Sequence, residues 1–172
     1  MRHLVKWILI LALVSPQIFA EVENLRVGRM IGSVRFALRG NAELMTLRPG
    51  QSVPANSSVV TGSNSSVDLH FPDGSVISVA PNTRFRLDRL ASVSNTQSGS
   101  FGIDYGKILS KISKLNKARD LQFTTPMAIA GVRGTIFGID VAQAGEAKLL
   151  VTEGAVAFGN QEVPAGSMAV AN

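Results

Sequence analysis

Two histidines, His3 and His70, make up the whole imidazole complement of this 172-residue sequence, and it contains no cysteine. A serine-based relay needs an imidazole beside its hydroxyl, and His3 lies in a segment that reads as a cleaved leader, so His70 alone remains. In VDLHFPDG, His70 alternates with Leu69 and Phe71, which sets it on the polar side of a strand as an exposed side chain. Zinc would want Cys and His ligands, and the carboxylates are scattered without the spacing of a calcium loop. No local arrangement pairs two carboxylates as a glycoside hydrolase does. The expectation is a non-enzyme with no catalytic residue, no metal and no cofactor.

The remaining chemistry is cationic. Within Phe123 to Val141, FTTPMAIAGVRGTIFGIDV, Arg133 precedes Gly134 and Thr135. Its parity matches that of Phe137, so a planar guanidinium there either caps carbonyls at a sheet end or faces a ligand groove. Gly131, Gly134 and Gly138 do not form a dinucleotide-binding pattern and no helix signal follows them, so they read as bends or close-packing positions of strand backbone. Lys107, Lys111, Lys114 and Lys117, with Arg119, form a basic cluster that is either a solvated face or a contact for anionic headgroups or cell-wall polymers. Arg133, Gly134, Thr135, Lys107, Lys111 and Lys114 are thus the candidate partner-binding or structural residues.

The elements that must position these side chains read as strands. Sixteen glycines and seven prolines punctuate a chain that is 45% hydrophobic, and turn signals recur every eight to twelve residues or so, as in a sandwich, barrel or roll. Val27–Leu38 reads as a first strand or pair, Glu43–Gly50 as a short strand ending in a Pro49-Gly50 turn, and Ser58–Thr61 as another. Val67, Leu69 and Phe71, the turn Pro72-Asp73-Gly74, then Ile77 and Val79 make the clearest hairpin. In Thr83–Leu90, Phe85 and Leu87 point inward, while Arg84, Arg86 and Asp88 read as a solvated face. Ala91–Ser100 reads as a mobile polar loop. Phe101–Asp120 fits either a helical face or a strand to about Ile112 followed by a basic loop, and the strand is preferred. Phe137, Ile139 and Val141 then form one core face, and Lys148–Thr152, Ala155–Phe158 and Ser167–Ala171 read as closing strands. The fold expected is all-β, an antiparallel-rich sandwich or roll of many short strands, with a short solenoid as the alternative.

Residues 1–20 read as a signal peptide: Arg2, His3 and Lys6 precede the apolar run Trp7 to Val14, Pro16 breaks it, and Ala20 offers a cleavage site before Glu21. That run is short against the roughly 20 residues that span a bilayer. Residues 21–172 then form a single β domain. The net charge of +5 drops to +3 without Arg2 and Lys6 (5 minus 2), too mild to argue for nucleic acid in an exported chain. Without cysteine there is no disulfide-linked partner.

In order, the runs LRPGQSVPANSSVVTG, VDLHFPDGSVISVAPNTRFRL, TPMAIAGVRGTIFGIDV and LLVTEGAVAF resemble the successive blocks of the FecR-type periplasmic domain, from roughly Val27 to Phe158. The resemblance implies a periplasmic domain that senses an outer-membrane receptor, joined through the inner membrane to a cytoplasmic segment controlling a sigma factor. With six residues ahead of the hydrophobic run here, neither a cytoplasmic anti-sigma segment nor a further domain for receptor contact is expected. The expectation is therefore a standalone periplasmic binding or scaffolding domain whose partner is an envelope protein or cell-wall polymer. The alternative is a membrane-anchored sensor in signal transduction to a sigma-factor system, which requires the leader to stay uncut.

Overall fold

The computed structural model describes residues 24–41, 43–93, 96–114 and 118–172. The leader expected at 1–20 and the lysine at 117 lie outside them. Every regular element among the described residues is a strand.

The strands form two sheets. Sheet A runs β3 (Met45–Thr46), β2 (Val34–Leu38), β5 (Ser57–Thr61), β8 (Arg84–Val93), β9 (Thr96–Lys111), β10 (Ala118–Thr124), β11 (Ile129–Val132), β14 (Ala155–Phe158), β15 (Gln161–Pro164). Sheet B runs β4 (Ser52–Val53), β1 (Leu25–Ile31), β6 (Ser66–His70), β7 (Val76–Val79), β9 again, β12 (Ile136–Val141), β13 (Ala147–Glu153), β16 (Met168–Ala171). β9 serves both, so the ladder is continuous and does not close into a barrel. Its first half pairs with β8 and, in parallel, with β10, while its second half pairs with β7 and β12. A parallel pair cannot be joined by a tight turn; the second half of β9 is the path that carries the chain away before β10 returns.

The change of sheet happens at Gly106. Its φ is +94°, and a Cβ there would sit 2.5 Å from Thr83 Cα, so a side chain is refused both by conformation and by space. Two threonines pin the bend. Thr83 Oγ1 accepts from the Lys107 amide at 3.0 Å, and Thr61 Oγ1 accepts from the Thr83 amide at 3.0 Å while donating to the Ala80 carbonyl at 2.7 Å.

Inward positions of both sheets meet in one apolar cluster. Its spine is aromatic: Phe85 stacks on Phe101 at 5.8 Å, Phe101 on Phe123 at 4.8 Å, and Phe123 meets Phe137 edge-on at 5.1 Å. Phe71 adds a second edge contact to Phe101 at 5.9 Å. Phe101 from β9 therefore touches rings from three other segments. The all-β architecture expected from the turn cadence is what the chain adopts, with antiparallel ladders throughout except β9–β10.

Three local expectations are corrected. Residues 91–93 and 96–100 are strand, not loop, because they extend the β8–β9 ladder through Ala91 opposite Ser98 and Val93 opposite Thr96. Chain pairing holds that ribbon without an apolar alternation. The basic loop after Ile112 is cut short by β10, which begins at Ala118 and lies against Thr96. Of Glu43–Gly50 only Met45–Thr46 pairs, against Phe36 and Arg35. The Pro49-Gly50 turn does form, closed by the Gln51 amide on the Arg48 carbonyl at 3.1 Å.

Candidate functional site

Arg133, Gly134 and Thr135 occupy the bend between β11 and β12. The positive φ of Gly134, +59°, breaks the two-residue parity that had set Arg133 beside Phe137, so Arg133 turns out to solvent instead of inward. Gly134 itself is buried beneath Lys114, whose Cγ would lie 2.6 Å from a Cβ at that position. Thr135 is 1% exposed. Its Oγ1 finds no hydrogen-bond partner, and its methyl packs on Gly154, where an added Cβ would stand 2.7 Å from Thr135 Cγ2 and 3.3 Å from the Gly134 carbonyl oxygen. The two glycine-bearing turns at 134 and 154 thus nest against each other. The Thr135 carbonyl accepts from the Ile112 amide at 2.9 Å, and the Ser113 amide donates to Ser75 Oγ at 3.0 Å. This is how Lys114 comes to cover Gly134.

The described lysines of the basic stretch differ in their surroundings. Lys107 Nζ is 2.9 Å from Asp140 Oδ2, directly across the β9–β12 ladder. Lys111 lies on the same outward face of β9 and is exposed, as is Lys114 beyond the strand end. Lys148 on β13 pairs with Glu146 at 2.9 Å, and the hydrogen bond it donates to that carboxylate, then the carboxylate's charge, holds the Lys148 ammonium above its ordinary 10.5.

Between the paired and the free lysines runs an apolar row that no single strand reveals. Leu109 on β9 faces Gly138 on β12, Gly138 faces Leu150 on β13, and Leu150 faces Met168 on β16. The three side chains are 56%, 52% and 65% exposed. Gly138 leaves the centre of the row flat: the positions a Cβ would meet are the Ile108 carbonyl at 3.5 Å and Leu109 Cδ1 at 3.9 Å. Val170, also exposed, continues the surface beside Lys148. The only sequence trace of this row is the doubled apolar pairs Ile108-Leu109 and Leu149-Leu150, in which one member must face out.

The outward arginines of β8 are less solvated than the alternation suggests. Arg84 and Arg86 flank Asp104, and their side chains are 46% and 39% exposed. They line a cavity of about 340 Å³ on the outer face of sheet A. His70 lies over Gly28 on sheet B, away from those residues in the ladder order. Among the described residues no group of three or more His, Asp or Glu side chains could hold a metal ion. No helix among them is long and apolar enough to cross a membrane.

Comparison with known proteins follows the same lines. Two crystal structures, at 1.65 and 2.50 Å resolution, of a "putative anti-sigma factor" from Parabacteroides distasonis ATCC 8503 share the fold, each with a TM-score of 0.55 at 15% identity. Each match covers 67% of this chain and 54% of the other, so the chain spans about half the length of those proteins. No curated protein matches significantly. The family model described as FecR protein matches residues 57–157, which takes in β5 to most of β14, both nested turns and the sheet-switching strand. With more than half its length matched, the chain belongs to the FecR protein family.

Proposed function

We infer that this chain is an exported, non-catalytic recognition domain of the bacterial envelope that binds a partner protein through the outward face of sheet B. The observation that carries this reading is the exposed row Leu109, Leu150 and Met168 across four adjacent strands. Contiguous apolar surface on a soluble domain marks an interaction site more often than chance. A glycan or phosphate-rich wall polymer presents hydroxyls and anions, which an aliphatic row cannot hydrogen-bond, so a protein suits it better. Lys111, exposed two residues along β9 from Leu109, favours carboxylates at the margin of the partner's apolar contact.

Membership of the FecR family and the anti-sigma description attached to the Parabacteroides structures support placing this recognition in a signalling pathway toward a sigma factor. Export is supported by the charged and apolar pattern of residues 1–20. An intact mass that starts at Glu21 in the soluble periplasm favours a free module; a full-length mass in the inner membrane favours the anchored sensor.

The binding surface is tested with the double variant Leu150→Glu, Met168→Glu. The reading expects at least tenfold less partner recovered from solubilised envelopes, with a melting temperature close to that of the parent chain. Undiminished recovery by the folded double variant overturns it.

A further inference from the structure

The outer face of sheet A carries a second, chemically different surface. Arg86 on β8 stands opposite Gly102 on β9, and its guanidinium lies flat on that residue: a Cβ at Gly102 would overlap the guanidinium atoms. The glycine is therefore the seat of the arginine. Around it the counter-charges are loosely held. Arg86 Nε is 3.2 Å from Asp104 Oδ1, yet its N–H is not aimed at that oxygen and takes no hydrogen bond; the pair is an electrostatic contact only. Arg86 Nη2 to Asp88 Oδ2 and Arg84 Nε to Asp104 Oδ2 are both 3.8 Å, beyond hydrogen-bond reach. Arg39 lines the same cavity from the turn after β2. Three guanidiniums and two carboxylates thus line the cavity, which leaves one excess positive charge, and the Arg86 Nε–H is without a hydrogen-bond partner.

The opposite wall of the cavity is mixed. Leu38 and Leu44 are 40% and 39% exposed, and Asn41, Asn56 and Ser58 add amide and hydroxyl groups. A guanidinium fork in a partly desolvated hollow recognises a carboxylate through two parallel N–H donors. Aliphatic side chains next to it accept an apolar neighbour of that carboxylate. We propose that this cavity binds an acidic peptide segment, in which an Asp or Glu side chain engages Arg84 and Arg86 and an adjacent aliphatic side chain rests on Leu38 and Leu44. Binding replaces weakly made internal ion pairs with aligned, charge-assisted hydrogen bonds. The site lies on the other sheet from the apolar row and stands or falls independently of it.

The test uses the full chain and a blocked peptide alternating leucine with glutamate, alongside the same peptide with glutamine. The acidic peptide should shift the side-chain Nε–H resonances of Arg84 and Arg86 and bind at least tenfold more tightly than the glutamine peptide, more weakly as salt rises. Arg84→Gln should lose about tenfold, whereas Arg133→Gln, on an exposed bend outside the cavity, should bind as the parent does. Gly102→Ala, which unseats Arg86, should lose binding while retaining the fold. Equal binding of the two peptides, or unchanged binding by folded Gly102→Ala and Arg84→Gln, overturns the proposal. So does a larger shift of the same resonances by inorganic phosphate or phosphatidylglycerol vesicles, which would make the cavity a phosphate site.

Discussion

The outer faces of the two sheets each hold a glycine in a central strand, and the two glycines do opposite things. On sheet A, Gly102 is covered, because a guanidinium uses the missing Cβ as its bed. On sheet B, Gly138 is left open between Leu109 and Leu150, with only ordinary contact distances around it. The first vacancy builds a charged hollow and the second flattens an apolar row. An outward strand glycine therefore says little until the residue opposite it is known. Here that residue is Arg86 in one case and a pair of leucines in the other.

Both faces hang from β9, so the sharpest way to break them together is through its core. Phe101→Ala removes a fully buried ring that contacts Phe71, Phe85 and Phe123. It should cost about 3–5 kcal/mol, read as a fall in unfolding free energy by denaturant titration. Gly106→Ala attacks the switch between the sheets. With φ at +94° and Thr83 Cα 2.5 Å from the new methyl, a loss of about 1–3 kcal/mol is expected in the same titration, together with faster amide exchange at Lys107.

The two outward glycines separate the faces. Gly102→Ala should unseat Arg86 and abolish recognition of the acidic peptide while costing less than about 1 kcal/mol, because the ion pairs it disturbs are half exposed. Gly138→Ala should leave that recognition intact and shift stability by less than about 1 kcal/mol in the stabilising direction, since the alanine fits without overlap and strand glycine carries an entropic cost. The smallest effect concerns sheet B alone. Lys148 titrates above 10.5 because of Glu146, so what that pair contributes is fully present below pH 10.5 and is lost as pH rises through the folded value. Glu146→Gln should bring the Lys148 titration, followed by NMR, back toward 10.5.

Much of the scaffold was legible from alternation. The β6–β7 hairpin and the inward set Phe137, Ile139 and Val141 follow from parity alone, because one face of each strand is buried and the period of two is strict. Parity failed where a glycine resets it. Counting residues puts Arg133 on the side of Phe137, and the left-handed conformation of Gly134 between them reverses that. The ribbon at 91–93 and 96–100 was illegible for another reason. Its serines, threonine and glutamine carry no apolar pattern, and its strand state comes from the pairing of the end of β8 with the start of β9 and of β9 with β10. The two surfaces left only fragments in the sequence, since each is assembled by register. Leu109, Leu150 and Met168 become neighbours only across four paired strands, and Arg86 finds Gly102 only once β8 and β9 are aligned.

Recognition of a partner protein by the outward face of sheet B can be read in the native host from a photoreactive side chain placed at position 150, with a control at exposed Ala157 on sheet A. A discrete protein adduct is expected from position 150, absent from position 157 and lost when Met168→Glu is added. Equal labelling from the two positions, or an adduct at 150 indifferent to Met168→Glu, would contradict it.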